Sequence, residues 1–72
     1  MQTHDMVRMA NQISEFFKSY SEQEAIDGIS DHINKFWEPR MRKDFFALVD
    51  SGGTGLSALV LKSASAIKRP KI

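Results

Sequence analysis

Ser21-Glu22-Gln23-Glu24-Ala25-Ile26-Asp27-Gly28-Ile29-Ser30-Asp31-His32-Ile33-Asn34-Lys35-Phe36-Trp37-Glu38-Pro39 carries its own start and its own stop. Ser21 followed by Glu24 reads as a capping box. The hydroxyl takes the amide of Glu24, and the carboxylate returns to the amide of Ser21. At the far end Pro39 removes an amide and turns Glu38 away from helical geometry. Between these marks Ile26, Ile29, Ile33, Phe36 and Trp37 share one face at helical spacing. The stretch predicts a helix that starts after Ser21 and breaks at Glu38-Pro39. Gly28 inside it costs up to ~1 kcal/mol relative to Ala, so close approach of another helix is expected there.

The flanks repeat the pattern. Upstream, Met6, Met9, Ile13, Phe16, Phe17 and Tyr20 fall within an arc of about 100°, the stripe of an amphipathic helix running from about Met6 to Ser19. Asp5 is the expected N-cap, with Thr3 the alternative. Downstream, Pro39 suits the first turn of a third helix. Met41, Phe45, Leu48 and Val49 form its stripe, with Phe46 at the edge. Ser51-Gly52-Gly53-Thr54-Gly55 ends it, because glycines accept the left-handed backbone that closes helices. A fourth helix is expected from about Leu56 or Ser57 to Ile67, with Leu56, Leu59, Val60 and Ile67 inward and Ala64 between turns. The tail 68–72 is expected to fray. No segment alternates long enough to argue a strand. The fold class is all-α, a compact bundle of three to four short helices in one domain over residues 1–72.

Composition narrows the function. Seventy-two residues buy little core, so the domain is marginal alone. There is no Cys, which removes disulfides, thiolate metal sites and cysteine nucleophiles. No apolar run approaches the ~18–20 residues of a membrane span, and the N-terminus does not read as a secretory signal. A cytoplasmic protein off the membrane is expected. The net charge of +1 hides a split. Residues 1–31 hold six acidic and two basic side chains; residues 32–72 hold three acidic and eight basic. That pattern suits docking on an oppositely patterned surface, and the basic excess is weak for a nucleic-acid binder.

Asp31-His-Ile-Asn-Lys-Phe-Trp-Glu-Pro-Arg-Met-Arg42 gathers the chemistry-bearing residues. Apolar anchors beside Arg, Asn and Glu are the mixture of protein–protein hot spots, not of a hydrolytic or redox site. Phe36 is expected in the core. Trp37 has two readings, core or an anchor emerging at the corner between helices two and three. Arg40 and Arg42 oppose the helix dipole at the start of helix three. Arg40 therefore points to a partner carboxylate or a bidentate structural pair, and Arg42 to solvent or to an internal partner, Glu38 or Asp44. Asn34 either pins the Trp37–Pro39 corner or bonds a partner backbone. Asp31 and Lys35 are spaced as an exposed helix pair. His32 reads as a packing residue, since no second ligand stands at metal spacing. Neither a nucleophile nor an oxyanion donor set accompanies it. The glycine-rich turn lacks the spacing of a phosphate loop and reads as an interhelix turn.

Three strings carry a resemblance. Val7-Arg8-Met9-Ala10-Asn11-Gln12-Ile13 with Phe16-Phe17, then Gly28-Ile29 with Asp31 to Arg42, then Gly55-Leu56 with Leu59-Val60 and Arg69-Pro70, resemble the delta subunit family of NAD-dependent formate dehydrogenases. The resemblance spans nearly the whole chain, and its most specific string is Trp37-Glu38-Pro39-Arg40-Met41-Arg42. It implies a bacterial complex containing molybdenum or tungsten. There a large alpha subunit would hold a bis-pterin guanine dinucleotide metal centre and iron–sulfur clusters. Beta and gamma subunits would carry FMN and further clusters and pass electrons to NAD. The delta subunit is implied to bind no redox cofactor and to assist assembly, stability or maturation of the metal site. Because that cofactor contains pyrophosphate, Gly53, Thr54 and Gly55 are kept as a minor anion candidate.

The expectation is thus a non-catalytic accessory subunit with no metal ligands and no catalytic residues. It docks on the alpha subunit through Asp31, Asn34, Lys35, Trp37, Glu38, Arg40 and Arg42. Alternatives from other classes are a small helical nucleic-acid module, an enzyme, and a chain that forms a homodimer when isolated, because four apolar stripes exceed one small core.

Overall fold

In the computed structural model, which describes residues 2–71, the chain folds as α1 (Thr3–Phe17), α2 (Glu22–Phe36), α3 (Pro39–Asp50), α4 (Ala58–Ser63) and a short 3-10 turn (Ala64–Ala66). The expected all-α bundle is what forms, with no strand among the described residues. Helix α2 is central and packs on α1, α4 and the 3-10 turn, while α1 also meets α3 and α4. The core gathers Met6 and Ala10 of α1, Ile29 and Ile33 of α2, Trp37, Phe45 and Phe46, and Leu56, Val60 and Ile67.

The punctuation read from the sequence explains most boundaries. Ser21 Oγ accepts the amide of Glu24 at 3.2 Å and donates to its carboxylate at 2.8 Å, a variant of the expected box in which the carboxylate holds the hydroxyl rather than the amide. Pro39 is the first residue of α3. Gly53, at φ +69, folds back so that its amide reaches the Leu48 carbonyl at 2.8 Å and closes α3. Gly28 sits under α1: a Cβ there would stand 2.5 Å from Phe17 Cζ and 2.8 Å from Cδ1, so the Phe17 ring packs into the space a side chain would take.

Three boundaries differ. Helix α1 begins at Thr3 with Gln2 before it and no side-chain cap, so Asp5 and Thr3 lie inside the helix rather than capping it. Asp5 there faces the positive end of the helix dipole. Helix α4 stops at Ser63, with Ser57 as its cap accepting the Val60 amide at 3.2 Å. The next turn tightens to 3-10 where Asn34 captures the Ala66 carbonyl at 3.0 Å. The start of the tail expected to fray is tied down: Lys68 is bonded through both its amide and its carbonyl, and Arg69 forms a bidentate pair with Asp50 at 2.8 and 3.0 Å. Ile72 lies outside the described residues.

Two asparagines do the same job at opposite ends of the last segment. Asn11 donates to the Gly55 carbonyl at 2.9 Å and accepts the Ser57 amide at 2.9 Å. Asn34 donates to the Ala66 carbonyl and accepts the Lys68 amide at 2.8 Å. Each carboxamide presents one donor and one acceptor, the same pair a backbone peptide offers. The segment 55–68 is thereby fastened to α1 at its start and to α2 at its end.

Candidate functional site

The corner after α2 decides what the chain can offer a partner. Trp37 leaves the helix with an extended backbone, φ −89 and ψ 125. Its ring turns inward, 5 % exposed, edge-on to Phe45 at 6.1 Å between centroids. Phe36, the last helical residue, stays outside at 70 % exposure and meets the His32 ring at a 45° tilt, 4.9 Å between centroids. Phe36 is therefore not core, correcting that expectation, and Trp37 takes the core reading rather than projecting as an anchor. The cause is the change of backbone at Trp37. A 100° step no longer sets its direction, and only one of two adjacent bulky rings turns inward.

The other residues of the expected docking surface divide in two. Asn34 is engaged with Ala66 and Lys68, as above, so it pins the last segment rather than the Trp37–Pro39 corner. Arg42 donates to the carbonyls of Trp37 at 3.3 Å and Lys68 at 2.7 Å, so its internal partners are backbone oxygens rather than Glu38 or Asp44. Asp31 and Lys35 form the expected exposed pair at 3.1 Å. Glu38 and Arg40 are exposed, and Arg40 makes no ion pair among the described residues.

A surface that the sequence reading did not single out lies beside this corner. Between α1 and α2 a groove of about 430 Å³ opens to solvent. Its α1 wall is Met9, Gln12, Ile13, Phe16 and Phe17; His32 and Trp37 complete it from the other side. Phe16 is 69 % exposed and meets Phe17 edge-on at 4.9 Å. Among the described residues no Asp, Glu, Lys or Arg lines the groove, and Gln12 and His32 are its polar groups. At Phe16-Phe17 and Phe36-Trp37 one ring of an adjacent aromatic pair stays exposed, whereas both rings of Phe45-Phe46 enter the core, so the pairs alone did not mark the groove.

The glycine-rich turn is committed internally. The Gly53 amide goes to Leu48, the Ser57 amide to Asn11, and the Gly55 carbonyl takes the Asn11 amide. The turn that carries the anion candidate Gly53, Thr54, Gly55 is docked on α1, and of its three amides the Gly53 one is used internally. Among the described residues no three His, Cys, Asp or Glu side chains gather as a metal site requires.

The model of the family described as NADH-dependent formate dehydrogenase delta subunit, FdsD, matches residues 5–64. The chain belongs to that family. The delta-subunit match takes in nearly all of α1, the whole of α2 and α3, and α4, and so includes the groove, the corner, the Asn11 clamp and Asn34, while Asn34's partners Ala66 and Lys68 lie beyond it. No curated protein and no solved structure matches the chain. No helix among the described residues is long and apolar enough to cross a membrane.

Proposed function

We propose that this delta-family chain is a non-catalytic accessory subunit of a cytoplasmic NAD-dependent molybdenum or tungsten formate dehydrogenase. It docks on the large alpha subunit and supports its assembly, metal-cofactor maturation or stability. The observation that carries this reading is an apolar groove walled by the largely exposed Phe16, with the exposed Phe36 beside its wall residue His32, in a member of a delta-subunit family. Such a patch is the usual mark of a partner surface.

The polar residues of the central motif support the same reading. Asn34 and Arg42 are occupied in holding helices together, which is the work of a scaffold. Asp31, Lys35, Glu38 and Arg40 remain at the surface as the polar part of the contact, and Trp37 contributes as a wall of the groove. The bis-pterin guanine dinucleotide metal centre, iron–sulfur clusters, FMN and NAD belong to the other subunits in this proposal. Binding one conformation of the alpha subunit stabilises it by mass action, about 2.7 kcal/mol when the free subunit is at 100 times its Kd.

The test is to express the formate dehydrogenase subunits with and without the tagged chain. The alpha subunit is expected to co-purify with the tag. Omission of the chain is expected to lower the metal and pterin content, or the half-life, of the alpha subunit. The isolated chain is expected to turn over no formate. Full cofactor content and unchanged half-life in its absence would refute the supporting role, and absence of co-purification would refute the docking.

A further inference from the structure

We propose that the first turn of α3 and the tail together form a carboxylate-binding face that docks on an acidic segment of the large subunit. Arg40, Lys43, Lys68 and Lys71 supply its charge, and Arg42 holds its two halves together. This rests on the accessory-subunit reading above and names the chemistry of one of its contacts.

The pattern of ion pairing singles this face out. The chain has ten Lys and Arg side chains. Arg8, Lys18, Lys35, Lys62 and Arg69 each meet a carboxylate of the chain itself. The others, Arg40, Arg42, Lys43, Lys68 and Lys71, make no ion pair among the described residues. They fall in two short segments, 40–43 and 68–71, and the fold brings these together. Arg42 Nη1 donates to the Lys68 carbonyl at 2.7 Å. One residue further along each segment, Lys43 and Arg69 share the wall of one hollow, of about 240 Å³. Arg40, Lys43, Lys68 and Lys71 are exposed. Arg40 and Lys43 stand three apart on α3, neighbours on the helix surface, where like charges repel. The first turn of α3 holds no acidic residue, and its dipole opposes these cations. Carboxylates from a partner relieve both costs.

The charges also decide the occupant. A second copy supplies too few anions. Apart from Glu38 and Asp44, which stand beside the cations themselves, the carboxylates without a cationic partner among the described residues are Glu24 and Asp27, and these are already bonded to Ser21 and Gln23. A nucleic acid fits poorly, because a duplex carries about one charge every 1.7 Å and would meet Glu38 and Asp44 beside the cations and Asp50 in the hollow itself. A lipid surface fits poorly too, since neither segment presents a large exposed apolar side chain among the described residues. Separated carboxylates do fit. The face already holds one, the Asp50 side chain, gripped by two nitrogens of Arg69 at 2.8 and 3.0 Å. A protein segment with spaced Asp or Glu side chains can interleave with cations that have acids among them.

The test adds the full tagged chain to the formate dehydrogenase complex expressed without it and measures affinity at about 50 and about 300 mM salt. Wild type is compared with Arg40→Glu/Lys43→Glu, with the neutralising Arg40→Gln/Lys43→Gln, and with Lys18→Glu. Lys18 is the control, a cation already paired with Glu15. Acids near the start of α3 suit its dipole, so the reversed variant is expected to fold at least as well as wild type, which circular dichroism with thermal melting checks. The expected result at low salt is roughly a tenfold or greater loss for the reversed variant, a smaller loss for the neutralised one and none for Lys18→Glu. Wild-type affinity is expected to fall with salt, and that of the reversed variant to change little. Equal binding of the folded variants overturns the face while leaving the accessory-subunit reading intact. A loss as large for Lys18→Glu reduces the effect to net charge and overturns the face as well. Failure of wild type to bind at either salt overturns both. Duplex DNA and phosphatidylserine vesicles are run beside the complex; tighter binding of either, lost in the reversed variant, overturns the acidic segment as occupant. A tight dimer of the isolated wild type, abolished in the reversed variant, assigns the face to a second copy and overturns it likewise.

Discussion

Asn34→Ala removes one of the two carboxamide clamps and measures what they contribute. The side chain makes two hydrogen bonds to main-chain atoms, to Ala66 at 3.0 Å and to Lys68 at 2.8 Å. Each is worth about 0.5–1.5 kcal/mol net, giving roughly 1–3 kcal/mol for the pair. Alanine returns up to ~0.7 kcal/mol in helix propensity. The expected loss is therefore about 1.5 kcal/mol. At about 4–8 °C per kcal/mol for a domain of this size, the melting temperature falls by roughly 6–12 °C. The location of the loss is as informative as its size. Hydrogen exchange of the Lys68 amide is expected to accelerate, while that of the Ser57 amide, held by Asn11, stays slow. Asn11→Ala is expected to give the mirror result. A fall of less than ~3 °C, with Lys68 exchange unchanged, would refute the view that the last segment is fastened by these amides.

Three further outcomes follow from the geometry. Gly28→Ala is expected to destabilise by about 1 kcal/mol, because steric conflict with the Phe17 ring outweighs the propensity gain; a more stable variant in denaturant melts would show that the ring yields freely. Trp37→Ala is expected to lose about 3–5 kcal/mol and to unfold much of the population, whereas Phe36→Ala stays within about 0.5 kcal/mol of wild type by the same melts. The bidentate hydrogen bond and charge of Arg69 hold the Asp50 carboxyl below the usual carboxylate range. The stability this contributes is fully present above the ordinary aspartate pKa of about 3.9 and is lost as pH falls through the lower folded value. Asp50→Asn is therefore expected to flatten the acid limb of the stability–pH curve, and an unchanged limb would dismiss the pair as inert.

The local signals in this chain were strong because they rest on backbone chemistry. Ser21 with Glu24, Pro39, and the glycines after Asp50 each act on their own neighbours, so helix edges at those points were legible without a tertiary model. Gly28 was also legible, since a glycine in a helix interior asks for a close neighbour, and Phe17 is that neighbour. What pattern could not resolve was which of Phe36 and Trp37 turns inward. That depends on where the helix ends to within one residue, and Trp37 lies just past the end. The roles of Asn34 and Arg42 were equally out of reach as contacts. Their partners lie 32 and 26 positions away and are carbonyls, which every residue carries and no sequence distinguishes. The tail escaped because its partners are distant, with Arg69 lying over Phe46 at 4.3 Å and pairing with the Asp50 carboxylate across 19 positions. Of the expected docking residues, Asp31, Lys35, Glu38 and Arg40 are left at the surface, and the exposed apolar groove beside them is walled mainly by α1.

The single indole occupies an unusual post: Trp37 is both a member of the core and a wall of the groove. It is therefore a built-in optical reporter for two events of different character. Unfolding carries the ring into water and shifts its emission to the red. Filling the groove covers the little of its surface still exposed while leaving its surroundings dry, so the signal expected is a change of intensity at nearly constant wavelength. Folding and docking are thus separable in one fluorescence titration of the unlabelled protein.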